Sequence, residues 1–323
     1  MKKIIFILFA LAGTATAQTQ RTEWRTGGRD TSYNSKADFL KNLKKYPFIK
    51  LVPEQKMPNV TEHRNLTYAK IEQRALHLDA FVPKGKKKTA AVLIIHGGGW
   101  RSGDKSQHIP LAQHLAAKGI ASFTVEYRLS TEAFYPAAVY DIKASVRWLK
   151  ANAKKFNVDT NKIVILGFSA GGQLASLLGM TGDLKKLEGN LGNAKFSSTV
   201  NAVIDIDGTL SFVHPESWEF QNISTNVGAS AMWLGYAGTE RLDLWTEASP
   251  FTYAKNNKIP FLFLNSAVER MHAGRDDFKK MMDEKGVYTE IISFKDSPHG
   301  FCLYEPWFDP MIGNIVSFIA KVF

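Results

Sequence analysis

A serine set between glycines is the feature of this sequence with the clearest chemical potential. Residues 165–172 read Ile-Leu-Gly-Phe-Ser-Ala-Gly-Gly, which places Ser169 in a Gly-x-Ser-x-Gly pattern between an apolar run and a helix-like run. A strand that turns sharply into a helix needs small neighbours, and the turn lifts the serine hydroxyl above the sheet near the positive end of the helix. The pattern therefore predicts that Ser169 is a nucleophile.

The proton of such a serine must pass to a base, and His299 is the candidate. A serine hydroxyl is a poor nucleophile without a base in hydrogen-bond reach and a carboxylate that orients the base. His299 follows the last predicted strand, in the segment Lys-Asp-Ser-Pro-His-Gly-Phe at 295–301. Loops at the carboxyl ends of parallel strands open on one edge of a sheet, so we expect His299 to lie near Ser169.

A run of three glycines supplies the candidate oxyanion hole. Residues 96–100 read His-Gly-Gly-Gly-Trp after an apolar run that is typical of a buried strand. Glycines let the backbone approach a substrate closely and direct N–H groups at it. We expect the donors to be the amides of Gly98 and Gly99, together with that of Ala170, the residue after the nucleophile. Trp100 is expected to brace this loop and is a candidate substrate contact.

The carboxylate that orients the base has two candidates. Glu269 is the only acidic residue in the segment 265–272, which follows the apolar run expected to form the next-to-last strand. Asp207 ends the strand before that one and opens on the same edge. We expect Glu269 to take the role and keep Asp207 as the alternative, because Glu269 could instead pair with Arg270 or Arg275.

These residues must be positioned by a sheet whose strands alternate with helices. Alternation of the two types predicts an α/β fold, with a mostly parallel sheet covered by helices on both faces. The apolar and alternating runs predict strands at 76–82, 90–95, 121–126, 162–166, 203–207, 260–264 and 288–294. Patterns with helical spacing predict helices at 109–118, 137–154, 173–180, 275–285 and 308–320.

The amino-terminal residues indicate export. Residues 1–17 combine a Met-Lys-Lys start, an apolar core at 4–11 and an Ala-Thr-Ala cleavage pattern at 15–17. This is the pattern of a secretory signal peptide, and it is too short for a membrane span. We therefore expect an exported protein, periplasmic or secreted, without an integral membrane segment.

The rest of the chain divides into a short lead-in and one large domain. Residues 18–60 are polar and are expected to form an exposed lead-in, whereas 61–323 are expected to form the α/β domain. The segment at about 211–250 is too long for an ordinary connection and is rich in aromatic residues. We expect it to form a small insertion over the active edge, with Trp218 and Trp233 as candidate sugar contacts.

Charge and cysteine content bound the possible partners. The formal net charge is +11, which suggests a polyanionic partner or a generally basic surface. No helix-turn-helix, zinc or RNA-binding signature accompanies this charge, so nucleic acid is not expected. Cys302 is the single cysteine, which excludes an internal disulfide, and we expect it to be a packing residue.

Several motifs together resemble the α/β-hydrolase superfamily. The similarity is strongest to its hormone-sensitive-lipase-like branch, which includes bacterial feruloyl and acetyl carbohydrate esterases. The motifs are His-Gly-Gly-Gly-Trp at 96–100, Gly-Phe-Ser-Ala-Gly-Gly at 167–172, Asp141 with Trp148, and Pro-His-Gly-Phe at 298–301. The resemblance covers roughly residues 65–320 and implies the α/β-hydrolase fold.

The resemblance also implies roles for the candidate residues. It implies a triad of Ser169, His299 and an acid, with oxyanion donors at Gly98, Gly99 and Ala170, and it implies no metal or organic cofactor. The chain departs from the family at the acid, because the usual Gly-x-x-Asp after the next-to-last strand is absent.

The expected activity is that of an exported serine carboxylesterase. We expect it to remove acetyl or feruloyl groups from a plant-type polysaccharide such as pectin or xylan. Arg270 and Arg275 could then meet a uronate carboxylate. A lipase or serine peptidase on the same scaffold is the alternative, and a non-catalytic binding homologue is a further one.

Overall fold

The computed structural model describes residues 20–30, 32–85, 87–182, 184–221 and 228–323. The expected signal peptide at 1–17 lies outside these residues. No helix in the described ranges combines the length and the apolar character needed to cross a membrane.

A central eight-stranded sheet organises the chain. Apart from a two-residue strand β1 (Lys50–Leu51) that lies outside this sheet, its strands are β2 (Val60–Ile71), β3 (Arg74–Pro83), β4 (Thr89–Ile95), β5 (Ala121–Val125), β6 (Val158–Phe168), β7 (Ala202–Ile206), β8 (Phe261–Asn265) and β9 (Thr289–Ser293). Their order across the sheet is β2-β3-β5-β4-β6-β7-β8-β9. The pairs β2–β3 and β3–β5 are antiparallel, and all the other neighbours are parallel. The predicted mostly parallel sheet is confirmed.

Helices cover both faces of this sheet. The helices are α1 (Ser35–Leu43), α2 (Ile109–Ala117), α3 (Ala137–Ala151), α4 (Ala170–Met180), α5 (Trp218–Gln221), α6 (Ala229–Leu234), α7 (Leu242–Glu247), α8 (Arg275–Glu284) and α9 (Phe308–Val322). Alternate residues of β4 reach opposite layers, as the period of two in a strand requires. Leu93 packs in the layer that contains α3, α4 and α8, whereas Ile94 packs in the layer that contains α2 and α9.

The segment before β2 is more closely integrated than its polar composition indicated. Ile49 is buried, and β1 pairs with β10 (Tyr304–Glu305) through the register Lys50↔Glu305. Farther upstream, the Arg21 guanidinium bonds the Glu240 carboxylate in the insertion. The described residues between 20 and 59 are otherwise exposed or half-buried, and these long-range pairings, which the local sequence does not display, hold them to the domain.

Candidate active site

Ser169 lies at the tight turn between β6 and α4. Its φ of 55° and ψ of −121° are strained for a residue with a side chain. A Cβ on Gly167 would lie 1.9 Å from the Gly171 carbonyl oxygen, and one on Gly171 would lie 2.2 Å from the Ile95 carbonyl oxygen. The turn therefore excludes side chains at both positions, as the sequence pattern predicted. The Ser169 N–H donates to the Ile206 carbonyl at 2.8 Å, which ties the turn to β7.

His299 bridges the serine and an aspartate. Its Nε2 lies 2.9 Å from the Ser169 Oγ, and its Nδ1 lies 2.9 Å from the Asp207 Oδ2. The tautomer protonated at Nδ1 donates to the carboxylate and leaves Nε2 to accept the serine proton. The Phe168 ring packs against the imidazole with a centroid distance of 4.8 Å. The His299 side chain is 31% exposed, so the base is open to solvent and to substrate.

Asp207 is fully buried and is held from its other side by the end of β8. Its Oδ1 accepts a hydrogen bond of 2.8 Å from the Ser266 N–H and one of 3.3 Å from the Asn265 Nδ2. His272 Nε2 lies 3.9 Å from the same oxygen. The Ser266 and Asn265 donors stabilise the charged carboxylate and fix the oxygen that faces His299.

The structure corrects the preference for Glu269. This residue is exposed and begins a short 3-10 helix, Glu269–His272, four residues beyond the end of β8. Asn265 and Ser266, which directly follow the apolar part of the strand, occupy the space beside Asp207 instead. In the described part of the chain, His299 bonds Asp207 and not Glu269.

The glycine run forms a loop against the start of α4. Gly98 and Gly99 have φ values of +122° and +59°, and a Cβ on Gly98 would lie 2.1 Å from the Ser102 carbonyl oxygen. Within the described residues, the amides of Gly98 and Gly99 donate no hydrogen bond to the protein. The Gly97 N–H instead donates to the Gln107 Oε1 at 2.7 Å. The loop therefore keeps two amides available for a ligand, while Gln107 anchors its first peptide.

Two buried histidines support this loop. His96 stacks on Tyr127 at 4.4 Å, and the Tyr127 hydroxyl donates to the His96 carbonyl at 3.1 Å. His108 packs edge-on against Phe168 at 5.9 Å. Burial lowers the pKa of His96 to about 4 and the pKa of His108 to about 3, so both rings are neutral near pH 7.

Two of the three tryptophans expected to contact substrate are core residues. Trp100 and Trp233 are 5% and 0% exposed, and they stack on each other at 5.1 Å. The Trp100 Nε1 donates to the Gln173 Oε1 at 2.8 Å, which braces the glycine loop as expected. The sugar-contact expectation for these two is corrected, because their faces are covered by each other and by Phe212. Trp218 differs, since it is 52% exposed.

A cleft of about 510 Å³ lies near Asp207, because His272, which is part of its lining, has its Nε2 3.9 Å from the Asp207 Oδ1. Among the described residues, its lining combines Trp218 with charged side chains and His272; the charged residues are Glu216, Glu269, Arg270, Arg275 and Asp276. The Arg275 Nη1 donates to the Asn265 Oδ1 at 2.9 Å, which connects the cleft to the partners of Asp207. Arg270 and Arg275, the basic residues singled out from the sequence, thus lie together beside the site.

Several site residues carried no sequence motif. Gln107, His108 and His272 have no local signature, and only their tertiary neighbours identify them. Asn265 and Ser266 had a weak signal, since they are polar residues directly after an apolar strand at the active edge. In the part of the chain that the structure describes, no group of three or more histidine, cysteine or acidic side chains could hold a metal ion.

Comparison with known proteins places this geometry among esterases. A protein-family model described as BD-FAE matches residues 78–271, which is more than half of the chain. Esterase LipC of Mycobacterium tuberculosis is 29% identical over 226 residues, which is 68% of this chain and 55% of that protein. The chain spans about half the length of the curated relatives it matches.

Solved structures of carbohydrate esterases are similar to this chain over most of its length. A bifunctional GH43-CE protein of Bacteroides eggerthii is 26% identical with a TM-score of 0.70, covering 83% of this chain and 39% of that one. A truncated carbohydrate esterase from gut microbiota is 25% identical with a TM-score of 0.66, covering 83% of this chain and 99% of that one.

Proposed function

This chain belongs to the BD-FAE family, and we propose that it is a serine carboxylesterase. The resemblance to the α/β-hydrolase superfamily is confirmed by the family match and by the similar solved structures. The observation that carries the proposed activity is the chain of two 2.9 Å hydrogen bonds from Ser169 through His299 to Asp207.

The proposed reaction proceeds through an acyl-enzyme. The Ser169 Oγ attacks the ester carbonyl carbon while its proton moves to the His299 Nε2. Asp207 stabilises the imidazolium that forms, and its 0% exposure keeps this interaction from being screened by water. The tetrahedral intermediate expels the alcohol, which takes its proton from Nε2. A water molecule activated by the same nitrogen then hydrolyses the acyl-enzyme.

The proposed oxyanion hole consists of the Gly98, Gly99 and Ala170 amides. Support comes from the two glycine amides without protein acceptors and from the contact between this loop and the start of α4. Such donors stabilise the charge that develops on the carbonyl oxygen, and each typically contributes about 3 kcal/mol to transition-state stabilisation.

We propose an acylated polysaccharide such as xylan or pectin as the substrate, bearing acetyl or feruloyl esters, and an exported site of action. The carbohydrate esterases among the similar structures and the signal-peptide pattern at 1–17 support this. The proposed catalytic domain is 61–323, with the insertion at about 211–250 beside the site.

The direct test is the Ser169→Ala variant with p-nitrophenyl acetate. We expect at least a thousandfold loss of kcat and complete loss of labelling by a fluorophosphonate probe. Ser197→Ala changes an exposed serine by the same atoms and serves as the matched control, with wild-type rates expected. Substantial turnover by the Ser169→Ala variant would falsify the mechanism. If the probe labelled neither the wild type nor the Ser197→Ala control, a non-catalytic homologue would be favoured.

A profile of acyl-chain lengths separates the esterase from the alternatives. A carbohydrate esterase should prefer acetyl over decanoyl p-nitrophenyl esters, whereas a lipase should show the reverse and respond to a lipid interface. Release of amine from peptide anilides would instead indicate a peptidase.

A further inference from the structure

We propose that the cleft beside Asp207 is a subsite for a neutral sugar ring, with Trp218 as its platform. This inference rests on the proposed esterase function and specifies the part of the substrate that this chain would hold. The ligand class is an uncharged, hydroxyl-rich glycan that carries the ester, such as a xylan chain.

Because Asp207 is the carboxylate that bonds His299, the segment after β8 is free to contact a ligand. Because the carboxylate behind His299 comes from the end of β7, the segment after β8 supplies no catalytic acid. Asn265, the last residue of β8, and Ser266, the residue after it, bond Asp207, and later residues of the segment line the cleft. His272 joins the two regions, since its Nε2 lies 3.9 Å from the Asp207 Oδ1. A ligand in the cleft would therefore lie one side chain away from the buried carboxylate of Asp207, on the other side of His272.

Trp218 gives the cleft an apolar surface of the kind that sugar rings contact. Its exposure of 52% contrasts with 0% for Trp233 and 1% for Trp245 in the same insertion. Indole rings combine a large apolar face with low conformational freedom, which makes them frequent binding anchors. The volume of about 510 Å³ lies within the range of small-molecule sites.

The charge of the cleft argues against an anionic ligand. Its described lining contains two arginines and three carboxylates, and burial together with Arg275 lowers the pKa of His272, so the imidazole adds no charge near pH 7. Arg275 is already held by Asp276 at 2.8 Å and by Asn265. A uronate carboxylate would enter a region with a formal excess of negative charge, despite the basic chain as a whole.

Two further charged residues of the lining suit hydroxyl groups. Glu269 and Arg270 are exposed neighbours, and neither forms an ion pair within the described residues. A carboxylate accepts hydrogen bonds and a guanidinium donates them, whereas a sugar hydroxyl can do both. An acceptor beside a donor, in a cleft that also contains an indole ring, is therefore complementary to a neutral ring with adjacent hydroxyls.

Binding to the Ser169→Ala protein tests the subsite without turnover. We expect xylohexaose to bind in isothermal titration, and hexagalacturonate to bind at least tenfold more weakly. Trp218→Ala should weaken xylohexaose binding about tenfold, while Trp218→Phe, which keeps an aromatic face, should recover most of it. Phe196→Ala removes a comparably exposed aromatic residue, 41% exposed, outside the cleft and should bind like its parent.

Kinetics distinguish the subsite from the esterase activity. For Trp218→Ala and Arg270→Gln, the KM for acetylated xylo-oligosaccharide relative to that for p-nitrophenyl acetate should rise about tenfold, with kcat retained. If these residues had only a structural role, the substitutions would change the KM for both substrates together and would lower the midpoint of thermal unfolding.

Two results would overturn the subsite while leaving the esterase intact. One is turnover of p-nitrophenyl acetate by the wild type without binding of xylohexaose to the Ser169→Ala protein. The other is tighter binding of hexagalacturonate than of xylohexaose, lost in Arg270→Gln, which would identify a uronate site instead. Absence of p-nitrophenyl acetate turnover would contradict the proposed function itself.

Discussion

The two sides of His299 are built by different means. On the serine side, backbone atoms determine the geometry, because a Cβ at Gly167 or Gly171 would lie 1.9 or 2.2 Å from a carbonyl oxygen. On the carboxylate side, hydrogen bonds determine it, since Asp207 is oriented by Ser266 and Asn265 from the neighbouring strand end.

This difference decides how each side tolerates change. Close packing leaves a turn with one possible shape, so any added atom forces the backbone to move. A hydrogen-bonded carboxylate depends on which groups face it, so an isosteric change can remove its function without altering the fold. Substitutions on the carboxylate side should therefore lower activity without changing the free energy of unfolding. Substitutions on the serine side should lower both.

The largest expected effect comes from the carboxylate side. Asp207→Asn should lower kcat by about four orders of magnitude, because an amide favours the wrong tautomer of the base. The loss for Glu269→Gln should be at least a thousandfold smaller, since His299 bonds Asp207 and not Glu269. Hydrolysis of p-nitrophenyl acetate and urea unfolding of both variants check this, with unfolding of Asp207→Asn expected to stay close to the wild type. Equal losses of activity in the two variants would contradict the assignment of the acid.

The serine side should respond to a single methyl group. Gly171→Ala should lower the free energy of unfolding by about 3 kcal/mol, since its Cβ would clash with the backbone of β4. Gly313→Ala in α9 is the matched control, because its Cβ would meet no atom within 4 Å. That control should gain about 0.5–1 kcal/mol from the better helix propensity of alanine. Similar stability changes in the two variants would refute the steric account.

The smallest effect is a difference in pH dependence. His108 is held neutral by burial, with a pKa of about 3, so the unfolded chain takes up its proton first as pH falls. Its contribution to stability is therefore present above about pH 6.5 and is lost on acidification. Asp205 lies in β7, and burial raises its pKa to about 7. Its contribution is complete below about pH 4 and is lost as the pH rises to about 7.

Urea unfolding at pH 5 and pH 7 measures these opposite signs. Relative to the wild type, His108→Leu should show a smaller rise of stability from pH 5 to pH 7. Asp205→Asn should show a larger rise, because the variant lacks the carboxyl whose contribution declines in that interval. Changes of the same sign in both variants would exclude the proposed protonation states.

Local patterns predicted the elements that depend on near neighbours in the chain. The glycines around Ser169, the glycine run at 96–100 and the alternating strand and helix patterns each reflect sterics or periodicity within a few residues, and the structure has elements at those places. The expected helix at 275–285 spans Arg275–Glu284, for example, because its apolar residues recur at helical spacing.

Patterns failed where partners are distant in sequence. Asp207 and His299 are 92 residues apart, and the choice between Asp207 and Glu269 depended on the direction taken by the chain after β8. The same holds for Trp218 and Trp233, whose aromatic character is identical but whose exposure of 52% and 0% is opposite.

Backbone sterics and hydrophobic periodicity act over short distances, so local sequence was enough to predict the α/β architecture, the strained serine turn and the glycine loop. Which carboxylate orients His299, and which tryptophan faces solvent, became evident from the folded arrangement alone. Those outcomes depend on packing between strand ends and on the insertion, where many residues of suitable type compete and only their final neighbours select among them.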